Sequence, residues 1–135
     1  MSKPAMDVLV IDDEPDILEV VRMYLENMGC FRNIVTSEDG QLGVKKLLNQ
    51  KFEIIIVDIN LPKRDGIEIL GEFKKGFETQ NSIDNVIVIS GELDKTKLEK
   101  AVANGAKHFL IKPFNEKSFQ EKVLSVVSQN KDLKK

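Results

Sequence analysis

The chain has 135 residues with 41% hydrophobic and 31% charged side chains, and its formal net charge is −2. These values are typical of one soluble globular domain, and the weak net charge excludes a strong attraction to nucleic acid or to an anionic membrane. No apolar run approaches the roughly 20 residues of a membrane span, the N-terminus has no signal core, and the lone Cys30 cannot form an internal disulfide. We therefore expect a cytoplasmic protein that contacts neither nucleic acid nor membrane directly.

Five short segments rich in apolar or β-branched residues recur along the chain, separated by segments with helical periodicity. The predicted strands are Val8–Ile11, Asn33–Thr36, Ile54–Val57, Val86–Ile89 and Phe109–Ile111. A polar loop is expected at 78–85 and a frayed polar tail at 130–135. Five strand–helix units in series predict a doubly wound α/β fold with a five-stranded parallel sheet in three α/β/α layers, because parallel strands need helical crossovers.

Capping residues and apolar spacing define the helices between these strands. Pro15 is tolerated in a first helical turn, and Gly29 ends that helix. Ser37, Asp94 and Asn115 are predicted to cap the second, fourth and fifth helices. The apolar helix faces are predicted to carry, in chain order, Leu18, Val21, Leu25 and Met28; Val44, Leu47 and Leu48; Ile69, Leu70, Phe73 and Phe77; Leu98, Ala101 and Val102; and Phe119, Val123, Val126 and Val127.

A reactive polar group follows each of four predicted strands. Asp12 and Asp13 follow the first strand, Asp58 the third, Ser90 the fourth and Lys112 the last. In an open α/β sheet, ligands bind outside the carboxyl ends of the strands. We therefore expect three carboxylates, a hydroxyl and an ammonium group to converge on one edge of the sheet.

These groups are suited to a divalent cation and a phosphoryl group. Clustered carboxylates are ligands for Mg²⁺ or Ca²⁺, and without a cation they would raise one another's pKa unless Lys112 relieved the repulsion. With a metal bound, one carboxylate can remain anionic and attack phosphorus, giving an aspartyl-phosphate. Ser90 and Lys112 would then hold the phosphoryl group as a neutral donor and a point charge.

Each residue also has a structural explanation when it is taken alone. Asp12 or Asp13 could cap the first helix, and Asp58 could be a turn residue at the end of a strand. Ser90 could be a satisfied hydroxyl, and Lys112 a surface charge before a turn. The position of all five at carboxyl ends of one sheet favours a joint functional site over five separate structural roles.

The set Asp12-Asp13, Asp58, Ser90 and Lys112-Pro113-Phe114 resembles the receiver domain of bacterial two-component response regulators. The resemblance covers about residues 6–128 and includes the stretch 105–114. It implies the flavodoxin-like strand order 2-1-3-4-5, with residues 1–130 as the receiver domain and 131–135 as a polar tail. It also implies a phosphorylation-dependent switch of a two-component system, which catalyses only its own phosphoryl transfer and dephosphorylation.

The resemblance assigns a role to each carboxylate. Asp58 would accept a phosphoryl group from a phosphohistidine on a sensor histidine kinase or a histidine phosphotransfer protein. Mg²⁺ would be bound directly by Asp13, with Asp12 helping through water, and also by Asp58 and the backbone carbonyl of Asn60. The residues two positions after Asp58 and after Ser90 influence water access in this family. Here they are Asn60 and Glu92, similar to the chemotaxis regulator, which indicates a short-lived phosphoryl state.

The resemblance also implies a conformational readout. Ser90 would hydrogen-bond the phosphoryl oxygen, Lys112 would pair with it, and the switch aromatic falls on Phe109. The commoner residue there is tyrosine, and phenylalanine lacks the hydroxyl, so only rotation of the ring as Ser90 moves is available. A downstream protein would bind the face formed by the fourth helix, the last strand and the last helix.

Two other functions are also compatible with these residues. Asp58-Ile59-Asn60 faintly resembles the Asp-x-Asp motif of Mg²⁺-dependent aspartate-nucleophile phosphohydrolases, although those enzymes carry it on their first strand and need room for a cap. A phosphorylation-independent docking module with the same fold is the other alternative.

His108 lies inside the last strand, where we expect a structural or surface role rather than a place in a phosphorelay.

Overall fold

The computed structural model describes residues 5–61, 65–91 and 95–133, with side chains to residue 129. The described residues form five strands and five helices, and a short 3-10 turn at Ile83–Asn85. In chain order the elements are β1 Met6–Ile11, α1 Pro15–Met28, β2 Phe31–Ser37, α2 Gly40–Asn49, β3 Ile54–Asp58, α3 Gly66–Lys75, β4 Val86–Ser90, α4 Lys95–Ala103, β5 His108–Ile111 and α5 Glu116–Leu133.

All five strands are parallel and lie in the order β2-β1-β3-β4-β5. The doubly wound fold and the strand order predicted from the sequence are therefore confirmed. The register pairs Ile11 with Val57, Asp58 with Ile89, and Ser90 with Ile111. The carboxyl ends of the three central strands and of β5 are thus level, and the polar residues at these ends share one edge.

Side chains of the strands alternate between two apolar clusters on opposite faces of the sheet. Along β1, Leu9 and Ile11 join the cluster covered by α2, α3 and α4, whereas Val8 and Val10 join the cluster covered by α1 and α5. Most of the predicted helix-face residues are buried: Leu18, Val21, Leu25, Val44, Leu47, Ile69, Leu70, Ala101, Phe119, Val123, Val126 and Val127. Because helices cover both faces of the sheet, the strand sequences are nearly continuous runs of apolar residues.

Two predicted helix-face residues are exposed to solvent. Leu48 is 47% exposed and Val102 is 59% exposed. Each follows a buried residue, and consecutive residues on a helix point about 100° apart, so a narrow apolar stripe holds only one of the two. Phe77 lies beyond the end of α3, where Gly76 adopts a left-handed conformation with φ of 81°, and it is partly buried against the core. Its ring nevertheless contacts Phe73 edge-on, with centroids 5.0 Å apart.

The predicted helix caps had different outcomes. The Ser37 prediction is wrong, because β2 extends to this residue by pairing with Ile11, and the side chain of Asp39 instead accepts a hydrogen bond from the Leu42 N–H at 2.9 Å. Asn115 is confirmed as a cap, since its Oδ1 accepts from the Ser118 N–H at 2.8 Å. The predicted cap Asp94 lies outside the described residues.

Two segments predicted as irregular contain regular structure. The loop at 78–85 includes the 3-10 turn and is held by the buried side chain of Asn81, which accepts from the Phe52 N–H and donates to the Leu47 and Gln50 carbonyls. Helix α5 continues to Leu133, so it extends into the predicted tail. None of the helices formed by the described residues is sufficiently long and apolar to cross a membrane.

We expect Gly66→Ala to destabilise the protein by about 1–3 kcal/mol, because α3 begins against the backbone that carries Asp58. A Cβ at Gly66 would lie 2.7 Å from the Asp58 carbonyl oxygen and 2.8 Å from the Ile59 Cα. Gly71→Ala is the matched control in the same helix. There a Cβ would meet no atom of the described residues within 4 Å, and the change should stabilise the protein by up to about 1 kcal/mol. Urea denaturation checks both changes, and equal free energies of unfolding for the two variants would contradict the prediction.

Candidate functional site

The acidic pair lies directly after β1. The Asp12 N–H donates to the Ser37 carbonyl at 3.0 Å, which continues the pairing with β2, and the Asp12 Oδ1 accepts from the Glu14 N–H at 2.9 Å. Asp12 is 1% exposed, whereas Asp13 is exposed. The N-cap of α1 is Glu14, and its side chain makes no capping hydrogen bond. The helix-cap explanation for Asp12 and Asp13 is therefore not what the structure shows.

Asp58 ends the middle strand of the sheet and is 4% exposed. Its Oδ1 accepts from the Asn60 N–H at 2.8 Å, which shapes the turn after β3, and its Oδ2 accepts from Lys112 Nζ at 2.8 Å. The Lys112 backbone N–H donates to the Ser90 carbonyl at 2.8 Å, so the lysine is anchored beside β4. One oxygen of Asp58 thus stabilises the turn after β3, and the other forms an ion pair with Lys112.

The three carboxylates form one cluster. An oxygen from each of Asp12, Asp13 and Asp58 lies within 4.8 Å of the others. Burial raises the pKa of Asp12 to about 7, and the nearby charge of Asp58 adds to this, against a lowering by the Glu14 N–H. For Lys112, burial lowers the pKa, but its hydrogen bond to Asp58 and the surrounding carboxylates outweigh this, so the pKa is raised overall.

The cluster fits a hard divalent cation. The Asp12 Oδ2 is buried and has no hydrogen-bond partner among the described residues, and the pKa of this carboxyl is raised because a negative charge is unfavourable in a buried, acidic environment, an effect that a bound cation would offset. Carboxylate oxygens in such a group are the ligands that Mg²⁺ and Ca²⁺ prefer. The residues present can therefore hold a metal ion.

Ser90 and Phe109 lie on the neighbouring strands β4 and β5, where Ser90 pairs with Ile111 and Phe109 with Val88. Ser90 is fully buried, and its Oγ has no partner among the described residues. A buried hydroxyl without a hydrogen bond costs about 1–3 kcal/mol, so this group is suited to meet an incoming acceptor. Phe109 is half-buried and lines a cavity of about 360 Å³ with Leu98, Glu99 and Val102.

Two residues of the site were missed by the sequence analysis. Glu14 Oε2 lies 3.6 Å from Lys112 Nζ. The position of Glu14 directly after Asp12 and Asp13 in the sequence could have indicated that it lies near the site. Lys97 of α4 donates a hydrogen bond to the Asn60 Oδ1. No local pattern indicated this contact, since the two residues are 37 positions apart. Glu92 lies outside the described residues.

His108 is the first residue of β5 and pairs with Ile87, so it lies at the amino edge of the sheet. It is buried, and its Nε2 has no partner among the described residues. Burial lowers its pKa, with a further lowering by Lys122. This position, at the opposite edge from Asp58, agrees with the predicted structural role.

The strand order and the acidic cluster facing a lysine define a flavodoxin-like domain with its site at the carboxyl edge of the sheet. The model of the response regulator receiver domain family matches residues 8–124. The chain therefore belongs to this family, and the resemblance predicted from the sequence is confirmed. The family consists of signalling domains, and a phosphorylation-dependent switch fits it.

The relatives are response regulators. The chain is 31% identical over 114 residues to the probable C4-dicarboxylate response regulator DctR of Bacillus subtilis, covering 84% of this chain and 49% of that protein. It is 32% identical over 123 residues to the transcriptional regulatory protein KdpE of Mycobacterium tuberculosis, covering 91% of this chain and 51% of that protein. The chain thus spans about half the length of the curated relatives it matches.

Comparison with solved structures also supports the receiver fold. A response regulator receiver domain protein from Clostridium thermocellum is similar with a TM-score of 0.77 and 27% identity, covering 96% of this chain and 99% of that chain. The structure of NtrX from Brucella abortus is similar with a TM-score of 0.81 and 26% identity, covering 96% of this chain and 28% of that chain. Both comparisons support the receiver fold over nearly the whole chain.

Proposed function

We propose that this chain accepts a phosphoryl group on Asp58 from a phosphohistidine of a sensor histidine kinase or a histidine phosphotransfer protein, and that the phosphorylated form has a changed affinity for a downstream partner. The observation that carries the proposal is the arrangement at Asp58: one oxygen lies 2.8 Å from Lys112 Nζ, with oxygens of two further carboxylates within 4.8 Å. A lysine and an acidic cluster around one buried carboxylate are suited to phosphoryl transfer.

The transfer exchanges one bond to phosphorus for another. The Asp58 carboxylate oxygen bonds to phosphorus as the bond between phosphorus and the imidazole nitrogen breaks, and that nitrogen keeps the electron pair. Lys112 holds positive charge beside the phosphoryl oxygens, and the unpartnered Ser90 hydroxyl is available to donate to one of them. The Lys112 ammonium group already lies beside Asp58, so little reorganisation of this charge is needed during the reaction.

Asp13, Asp12, Asp58 and the backbone carbonyl of Asn60 are the groups that would hold Mg²⁺. The chemistry that the ion would supply when bound is neutralisation of charge on the carboxylates and the phosphoryl oxygens. Asp13 is exposed and can bind a hydrated ion from solvent, whereas Asp12 presents an unpartnered buried oxygen. This division supports direct ligation by Asp13 and a supporting role for Asp12.

Ser90 and Phe109 are the residues we propose as the switch. Phosphorylation adds about −1.5 to −2 charges next to Ser90, and a movement of this hydroxyl towards the phosphoryl group would free space at the level of the Phe109 ring. The cavity beside Phe109 is lined by three residues of α4. Rotation of the ring would therefore alter the surface formed by α4, β5 and α5, where we propose that the downstream partner binds.

Two competing functions predict different outcomes. A Mg²⁺-dependent phosphohydrolase would turn over small phosphoesters continuously, and a phosphorylation-independent docking module would form no adduct. Family membership and the ion pair at Asp58 favour the switch over both. In the switch, the only hydrolysis is that of its own phosphoaspartate.

We expect incubation with Mg²⁺ and acetyl phosphate to give a single phosphoryl adduct that Asp58→Asn abolishes, because asparagine cannot act as the nucleophile. Intact mass measured over time, with and without a chelator, checks this result. Asp16→Asn, in the first turn of α1, is the control for loss of an acidic side chain and should be phosphorylated normally. An adduct that persists in Asp58→Asn would contradict the proposal, and sustained release of phosphate from a small phosphoester would favour the phosphohydrolase.

A further inference from the structure

Helix α4 reaches the phosphorylation site through one side chain. Lys97, in the first turn of α4, donates a hydrogen bond to the Asn60 Oδ1, and the Asn60 N–H donates to the Asp58 Oδ1 at 2.8 Å. Lys112 approaches the other oxygen of Asp58, also at 2.8 Å. Two lysines thus contact Asp58, one directly and one through Asn60.

Polar contacts hold α4 at both ends. Ala101 is the only side chain of α4 that is buried, and Lys97 is half-buried. At the other end of the helix, Lys74 Nζ donates to the Ala103 carbonyl at 3.0 Å. The Lys97 contact lies at the first turn of α4 and the Lys74 contact at its last turn, so only the Lys97 contact acts directly at Asn60.

Hydrolysis of a phosphoaspartate needs a water molecule aligned with the phosphorus. The water oxygen bonds to phosphorus, the bond between phosphorus and the Asp58 oxygen breaks, Asp58 returns as a carboxylate, and one proton of the water passes to solvent as inorganic phosphate leaves. A hydrogen-bond acceptor beside the site promotes this step by accepting a hydrogen bond from the water and so orienting it. The Asn60 Oδ1 is such an acceptor, two residues after the phosphorylated position, and Lys97 occupies it.

We propose that Lys97 is a positioning residue that slows dephosphorylation by engaging the Asn60 Oδ1 and covering the approach of water to phosphorylated Asp58. This inference rests on the proposed function and adds the control of its lifetime to it. The identity of Asn60 alone indicates a short-lived phosphoryl state, whereas its contact with Lys97 lengthens that lifetime. The lysine acts from α4, so a partner that binds α4 and draws Lys97 away would also accelerate dephosphorylation.

We expect Lys97→Met to lose its phosphoryl group about 3- to 10-fold faster than the wild type, the range that the loss of one hydrogen bond supplies. The full chain is phosphorylated with acetyl phosphate and Mg²⁺, the donor is removed, and the decay of the adduct is followed by intact mass. Lys97→Arg retains a charged donor and should restore a decay rate within about twofold of the wild type. In an Asn60→Ala background, Lys97→Met should have no further effect, because its target is gone.

Two control variants separate this role from a general effect on α4. Lys100→Met removes an exposed charge from the same helix, and Lys74→Met removes the contact at its other end; both should decay at the wild-type rate. The proposed role of Lys97 would be overturned if Lys97→Met decayed as slowly as the wild type or more slowly. It would also be overturned if Lys74→Met accelerated decay as much as Lys97→Met does. Failure of every variant, wild type included, to form an adduct would overturn the proposed function and this inference with it.

Discussion

Lys112→Met is expected to lower the rate of Asp58 phosphorylation by acetyl phosphate about 100-fold or more, with Mg²⁺ binding retained. The ammonium group lies 2.8 Å from the Asp58 Oδ2 and is the direct cationic contact of the proposed phosphoacceptor among the described residues. Loss of one preorganised charged donor from a transfer site costs about 10²- to 10³-fold in rate. Initial rates of adduct formation by intact mass, at saturating Mg²⁺, measure the effect.

The matched control is Lys107→Met, which removes a lysine from an exposed ion pair with Asp84 just before β5. Exposed pairs of this kind contribute about 0–1 kcal/mol, so its phosphorylation rate and stability should stay close to those of the wild type. A rate for Lys112→Met within tenfold of the wild type would show that the lysine has only a structural role at Asp58.

Asp12→Asn is expected to stabilise the metal-free protein at pH 7.5 by about 1–4 kcal/mol while weakening Mg²⁺ binding. The pKa of Asp12 is raised from 3.8 to about 7, chiefly by burial, so ionising it in the folded state is unfavourable. This difference in pKa corresponds to roughly 4 kcal/mol. Asparagine removes the charge and can donate a hydrogen bond to the neighbouring carboxylate, whereas the metal site loses one of its negative charges.

The pH dependence follows from the direction of this shift. Between about pH 4 and pH 7 the folded protein holds a proton on Asp12 that the unfolded chain has released, so the free energy of unfolding falls as pH rises through this window. The Asp12→Asn variant should lack this contribution. Urea denaturation in chelator at pH 5 and pH 7.5 tests it: a variant less stable than the wild type at pH 7.5 would show that the charge on Asp12 is not a source of instability.

The position of Asp58, Ser90 and Lys112 at the carboxyl edge of the sheet was predictable because it depends on local sequence. A β-branched run followed by a polar residue marks the end of a buried strand, and parallel strands bring such ends to one edge. The placements of Asp58, Ser90 and Lys112 follow from this rule. The prediction for Ser37 failed for a related reason, since pairing with β1 lengthens β2 at the expense of the loop in which a cap was expected.

Local sequence could not distinguish the two carboxylates after β1. Asp12 and Asp13 are adjacent and chemically equal, yet Asp12 is buried with an unpartnered oxygen and Asp13 is exposed. The difference arises because Asp12 continues the pairing of β1 with β2, whereas the chain then turns into α1. Their different environments support the different metal-binding roles that we propose for them.

The sequence by itself determined the fold class, the strands and the set of groups at the carboxyl edge, because side-chain alternation, β-branching and turn residues act over a few positions. Only the tertiary structure decided which oxygen of Asp58 faces Lys112, which carboxylate carries the raised pKa, and that Lys97 reaches Asn60. These properties depend on how helices pack on the sheet and bring together residues that are 37 and 54 positions apart. Distances of that kind are set by the whole fold and leave no periodic signal in the chain.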